Sequence, residues 1–230
     1  MPHTPRALML FAAGFGTRMG ALTADCPKPL IAVAGKPLID HALALTEGLA
    51  LHRIVANVHY LPHRIRAHLA GRALISDESD EILETGGGLR AALPLLGTEP
   101  VFTLNTDAIW TGLNPLAELA AAWQPERMDA LLLLLPATEA RGFRGAGDFL
   151  LDAEGRISRA KGAPGLAYLG AQILKTDGLA EIPERVFSLN LLWDQAIARG
   201  RAYGLVHQGG WCDVGRPEGI AEAEAMLADV

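Results

Sequence analysis

The chain has 230 residues, half of them hydrophobic, which is enough for one large α/β domain with a sizeable core. Its formal charge of −6 argues against a nucleic-acid backbone as the main partner, though a local basic pocket can still hold a small anion. No apolar stretch approaches the ~20 residues that span a bilayer, so no membrane partner is expected.

Residues 7–12 read as a buried strand bounded by glycines. The polar start at 1–6 and the Gly-Phe-Gly-Thr-Arg that follows the strand do not make a secretory signal with a small-residue cleavage site. Residues 37–50 read as a helix opened by Pro37. A strand at 53–58, a short helix at 62–69 and a strand at 73–76 follow. Then come a glycine-opened helix at 87–96, a strand at 101–104 ending in Asn-Thr-Asp, a helix at 115–123 and a strand at 130–135. This alternation predicts a parallel sheet covered on both faces, with ligands at the carboxyl ends of the strands. From 141 to 173 the pattern changes to short runs with turn signals, which suggests β-hairpins forming a lid or sugar platform. A helix at 188–199 capped by Ser188, a strand at 203–206 and a helix at 217–227 close the chain.

Cys26 and Cys212 are far apart and form no CxxC pair, so they read as reduced thiols of a cytoplasmic protein. His59 and His63 flank a predicted strand–helix turn and His68 lies five residues after His63, so a shared helical metal face is poor and the three read as surface groups. The four tryptophans read as packing, with Trp211 set apart by its neighbour Asp213. Arg141 and Arg144 flank a glycine turn and read either as phosphate contacts or as a solvated loop.

Three segments carry chemistry. The first runs from Ala12 and Ala13 through Gly14, Phe15, Gly16, Thr17 and Arg18 to Met19, directly after a strand. A dinucleotide loop of the GxGxxG type needs Gly where Met19 stands, and no GxxxxGK[ST] exists. What remains is a glycine turn whose backbone approaches phosphate, with Arg18 and Lys28 ten residues apart. Two cations over such a turn suit a triphosphate and its departing pyrophosphate. The second segment is Glu84-Thr85-Gly86-Gly87-Gly88, which reads as a flexible loop or as a flat backbone surface whose amides read a nucleobase. The third is Asn105-Thr106-Asp107 at the end of an apolar strand. Asp107 alone also reads as a local cap, but Asp213 offers a second acid after a later strand, and two carboxylates can hold Mg²⁺ against phosphate.

The first segment, together with Pro27-Lys28-Pro29-Leu30, resembles the signature of the sugar-1-phosphate nucleotidyltransferases. Asn105-Thr106-Asp107 resembles that family's metal-bearing acid segment, with Thr106 where Gly is usual. Trp211-Cys212-Asp213-Val214-Gly215 resembles its second acid segment. The resemblance covers nearly the whole chain in order. Glu84-Thr85-Gly86-Gly87-Gly88, Gly147-Asp148-Phe149 and Arg216 with Glu222 and Glu224 are most similar to the branch that uses UTP and N-acetylmuramate 1-phosphate in cell-wall recycling.

The resemblance implies a three-layer α/β/α fold with a mostly parallel, Rossmann-like sheet and a small β-hairpin sugar-binding region. One domain would span 1–230, with a nucleotide-binding half at about 1–136 and a sugar-binding, second-acid half at about 137–230. It implies Ala12, Ala13, Gly14, Gly16, Lys28, Glu84, Gly86, Gly87 and Asn105 at the nucleotide, and Asp148 and Tyr168 at the sugar phosphate. Asp107 and Asp213 would be ligands of Mg²⁺, with Arg18 and Lys28 as catalytic cations. Small-molecule substrates are the expected partners, and a monomer or small homo-oligomer the expected state. Three alternatives stand beside this: a mannose-1-phosphate guanylyltransferase, a glucose-1-phosphate thymidylyl- or uridylyltransferase, and a non-catalytic sugar-nucleotide-binding subunit. The last is disfavoured because Arg18, Lys28, Asp107 and Asp213 are all present.

Overall fold

A computed structural model of the chain describes residues 4–229. Met1, Pro2 and His3 of the polar start, and Val230, lie outside the described residues. In chain order the first half holds β1 (Ala7–Phe11), β2 (Ala32–Val33), β3 (Lys36–Pro37), α1 (Leu38–Ala44), β4 (Arg53–Val58), α2 (Pro62–Leu69), β5 (Leu74–Asp77) and α3 (Glu84–Leu96). There follow β6 (Val101–Asn105), β7 (Ala108–Trp110), α4 (Pro115–Ala122), β8 (Ala130–Pro136), β9 (Phe149–Leu151), β10 (Ile157–Arg159) and β11 (Leu166–Leu174). The chain closes with α5 (Asn190–Ala198), β12 (Ala202–Val206), β13 (Trp211–Asp213) and α6 (Glu218–Ala228).

The main sheet is mixed. β5, β4, β1 and β6 pair in parallel in that order, and β8 and β12 pair in parallel at the other side. β11 joins the two groups by running antiparallel to both β6 and β8, and the β9–β10 hairpin extends from its first residue. Successive strand residues point to opposite faces. Leu8, Leu10, Leu131 and Leu133 enter one core with Ile39 of α1, Ile65 and Leu69 of α2 and Leu119 of α4. Met9, Leu132 and Leu134 enter the other with Leu89 and Ala92 of α3 and Leu192 of α5. Helices therefore cover both faces, which explains the unbroken leucine run of β8. This is the three-layer α/β/α architecture expected from the sequence, with small antiparallel hairpins attached. No helix of the described residues is long and apolar enough to cross a membrane.

The expected boundaries shift at three places. The helix expected at 37–50 stops at Ala44, and the chain turns through Gly48 at φ 79°. The helix expected from Gly87 begins at Glu84. The region read as short hairpins contains β11, a nine-residue strand at the centre of the sheet. Gly170, at φ 81°, breaks β11 with a register shift between Tyr168 and Gln172, and that break disguises the strand in the sequence.

Candidate active site

β1 delivers the glycine turn to the carboxyl end of the sheet. The backbone N–H of Ala12 donates to Asn57 Oδ1 at 2.8 Å, which fixes where the turn begins. The chain then makes a 3₁₀ segment at Thr17–Thr23 and returns at Lys28. Gly16 adopts φ 65°, and a Cβ there would lie 2.8 Å from Lys28 Cβ, so only glycine lets the two ends of the turn meet. Thr23 Oγ1 donates to the carbonyls of Gly16 and Gly20, and the Tyr60 hydroxyl donates to Thr23 O.

Lys28 is 8% exposed, and its Nζ lies 2.7 Å from Asp107 Oδ2. Asp107 follows β6, where Thr106 turns its hydroxyl back to Phe11 O at 2.7 Å. Thr106 therefore ties the end of β6 to β1 while still lining the cleft. Beyond Asp107 the chain enters β7, which pairs antiparallel with β13 so that Ala108 faces Asp213. Val214 N–H donates to Asp107 O at 2.8 Å. The two acids, distant in sequence, stand on neighbouring strands beside the cationic turn. A Cβ on Gly215 would lie 2.6 Å from Asp213 Oδ2 and 3.0 Å from an Arg18 terminal nitrogen, so Arg18 and Asp213 converge there as well.

Burial raises the Asp213 carboxyl above its ordinary value, and the like charge of Asp107 adds to that; Lys28, Arg18 and Arg216 oppose it. Among the described residues no third His, Cys, Asp or Glu joins them as a metal cluster. Two carboxylates match the one or two that Mg²⁺ typically takes from protein when phosphates complete its shell.

A cleft of about 260 Å³ opens beside this cluster. Ala12, Ala13, Gly14, Lys28, Glu84, Asn105 and Asp107 all line it, as do Phe11, Asn57, Glu78, Ile82 and Thr85. Asn57 and Glu78 carry no sequence motif. Both are 3% exposed, and Asn57 Nδ2 donates to Glu78 Oε1 at 2.8 Å while Leu83 N–H donates to Oε2. Burial pushes the Glu78 carboxyl up despite these hydrogen bonds. A polar residue within the apolar run of β4 is the signal that could have found Asn57. Glu84 holds φ 61° at the mouth of the cleft, an uncommon conformation for a residue with a Cβ. The Cβ position on Gly170 lies 2.8 Å from Asn105, so the β11 bulge makes room for that side chain.

Several expected site residues are placed differently. Gly16 supports the turn and does not line the cleft. Gly86 and Gly87 both donate their N–H groups to Phe187 O, and the Phe187 ring and Arg185 O occupy the space their side chains would need. The glycine run is thus explained by close packing of α3 on residues 185–187, and the amides of Gly86 and Gly87 are not free to read a base. Asp148 Oδ2 accepts from Tyr168 N–H at 2.9 Å at the root of the β9–β10 hairpin. Tyr168 packs edge-on against Trp193, its hydroxyl bonded with Thr103, and burial raises its pKa; neither residue lines the cleft. Trp211 is packing: its Nε1 donates to Leu169 O.

The histidines are not uniformly at the surface. His207 is 3% exposed, with Nδ1 2.5 Å from Glu118 Oε2, and stacks edge-on behind Trp110 of β7. His68 pairs with Asp40.

The geometry agrees with the relationships of the chain. Residues 8–142 match the model of the MobA-like NTP transferase domain. The chain is 44% identical, over the full length of both, to the N-acetylmuramate alpha-1-phosphate uridylyltransferase of Caulobacter vibrioides. It is 33% identical to the enzyme of the same description from Neisseria meningitidis, over 95% of this chain and 96% of that one. A putative glucose-1-phosphate thymidylyltransferase from Bacillus anthracis, at 16% identity, has the same fold with a TM-score of 0.79 over 97% of this chain and 96% of its own. The chain belongs to the MobA-like NTP transferase family, among its sugar-1-phosphate nucleotidyltransferases.

Proposed function

We propose that the protein transfers the uridylyl group of UTP to N-acetylmuramate 1-phosphate, giving the UDP-sugar and pyrophosphate. The observation that carries this reading is the meeting of Asp107, Asp213, Lys28 and Arg18 at the mouth of a glycine-turn cleft. It sits in a chain 44% identical, end to end, to a uridylyltransferase of that description. The guanylyltransferase alternative is less favoured: the relatives so named from Arabidopsis thaliana reach 27%.

In the reaction a phosphate oxygen of the sugar phosphate attacks the α-phosphorus of UTP, forming one P–O bond as the bond to pyrophosphate breaks. The attacking oxygen is already anionic, so no strong general base is required, and catalysis rests on positioning and charge neutralisation. Lys28 is held by its buried stem to contact both the α-phosphate and the incoming phosphate. Arg18 stabilises charge on the departing pyrophosphate. Ala12, Ala13 and Gly14 supply the backbone wall of the cleft, with Asn105 and Glu84 at its sides. Asp107 and Asp213 suit Mg²⁺, which when bound supplies neutralising positive charge to both phosphates. Asp148, exposed at the root of the hairpin, is assigned to the sugar. Both halves of the chain contribute, so 1–230 works as one catalytic unit, and the free thiols Cys26 and Cys212 suit a cytoplasmic setting.

The test is pyrophosphate release from each common nucleoside triphosphate crossed with a panel of sugar 1-phosphates. Release with UTP and N-acetylmuramate 1-phosphate supports the assignment. Release confined to another base or sugar overturns the specificity, and none with any pair overturns the reaction.

A further inference from the structure

We propose that Arg144 recognises a carboxylate carried by the sugar, and so selects the acid-bearing sugar 1-phosphate. The proposal rests on the uridylyltransferase reading above. N-acetylmuramate differs from a plain N-acetylhexosamine by an ether-linked lactic acid, and an enzyme that selects it needs a cation for that group.

The chain is net acidic, yet Arg18, Arg141, Arg144 and Arg216 have no carboxylate oxygen within 4.0 Å among the described residues. Some arginines elsewhere, such as Arg72, Arg159 and Arg201, are paired. Arg6, Arg53, Arg64, Arg90 and Arg127 also lack a carboxylate partner among the described residues but are scattered over the fold, whereas these four gather around β13. Arg141 takes a backbone bond from Asp213 N–H and gives one to Trp211 O. Gly142, at φ 78°, bends the chain so closely against Asp213 that a Cβ there would lie 2.6 Å from Asp213 O. This contact holds the start of the loop against Asp213, and the same loop runs on through Arg144 into Asp148 and the β9–β10 hairpin. Arg144 and Arg216 line one depression of about 200 Å³ with Asp213.

The four arginines divide by neighbourhood. Arg18 and Arg216 act with Lys28 on the Asp213 carboxyl, which puts them at the phosphate end. Arg144 lies on the loop that leads to the hairpin, the side the proposed reaction gives to the sugar. Glu218 and Glu222 share the depression. Once Asp213 is assigned to the cation, two acids oppose two arginines, so the local field draws a free anion only weakly. Selection then comes from direct, bidentate contact with a carboxylate already oriented by the bound sugar, the geometry a guanidinium provides and an ammonium does not.

The test compares UTP-dependent turnover of N-acetylmuramate 1-phosphate with that of its carboxyl methyl ester, in the full chain and its Arg144→Ala and Arg144→Gln variants. Charged hydrogen bonds are worth about 1.5–3 kcal/mol, so each arginine variant should lose roughly 10- to 100-fold in kcat/KM on the acid. The loss should appear in KM for the sugar, with kcat and the KM for UTP within about threefold. Wild type should lose a similar factor on the ester, and the variants on the ester should lose nothing further. Equal losses on acid and ester in the variants mean a phosphate or structural role and overturn the proposal alone, as does no loss on the acid. A wild type that ignores both sugars but turns over another removes the muramate reading and the proposal with it.

Discussion

Lys28→Met separates charge from packing. The stem of Lys28 packs beneath Gly16 and its ammonium pairs with Asp107 at 2.7 Å. Met keeps the stem and removes the charge. In the resting protein the pair is buried on the lysine side and 30% exposed at Asp107, so its loss should cost about 1 kcal/mol of stability, the upper range for solvent-reached pairs. In the proposed transition state the same ammonium faces two phosphates, where loss of one positioned group costs about 3–4 kcal/mol, or 10²–10³ in rate. The fall in rate should therefore far exceed the fall in stability. Saturating pyrophosphate-release kinetics give kcat, and denaturant unfolding of the same preparation gives stability. Lys28→Arg should not restore the rate, because a planar fork does not fit the space of a compact ammonium. A kcat within threefold of wild type refutes the role of Lys28, and an unfolding loss that matches the rate loss refutes the separation.

Asp213→Asn should raise the Mg²⁺ concentration for half-maximal turnover at least tenfold while the fold is retained, as read by Mg²⁺ titration; an unchanged midpoint removes Asp213 from the metal site. Gly88→Ala would place a Cβ 2.6 Å from Glu78 Oε1 and 3.0 Å from Asn57 Nδ2. It should destabilise by ~2 kcal/mol, because a disrupted buried hydrogen bond of ~1–3 kcal/mol outweighs the ~1 kcal/mol that alanine contributes to a helix; an unfolding curve at or above wild type contradicts this. At Asp129 burial raises the carboxyl pKa, but hydrogen bonds from Arg201 and Lys175 outweigh it and hold the group below its ordinary 3.8. A depressed acid contributes stability above the unfolded value and loses it as pH falls through the folded one. The advantage of wild type over Asp129→Asn should be full above pH 4 to 5 and shrink below 3.8 in unfolding measurements. A gap that stays constant with pH contradicts the pairing.

Local sequence carried much of the frame. The apolar runs of β1, β4, β6 and β8 announce buried strands because burial on both faces demands it, and the glycine turn, Lys28 and Asp107 follow such strands. Contacts between distant segments left weaker traces. β11 was hidden because its Gly170 bulge and the turns before it imitate a hairpin region. The glycines of α3 read as a flexible loop or a ligand surface, whereas the neighbours that require Gly86 and Gly87, residues 185–187, lie some hundred positions away, and Gly88 is required by Asn57 and Glu78. No sequence pattern pointed to His207, whose buried pairing with Glu118 joins segments 89 positions apart.

The sequence by itself determined the layered α/β arrangement, the glycine turn after β1 and the identity of two acids, because hydrophobic period and residue chemistry are local properties. Only the tertiary structure decided that β7 and β13 pair and so bring those acids together, that Asn57 and Glu78 floor the cleft, and that four arginines lack partners around Asp213. Charge and hydrogen-bond complementarity act through space, and that distance exists only after the chain has folded.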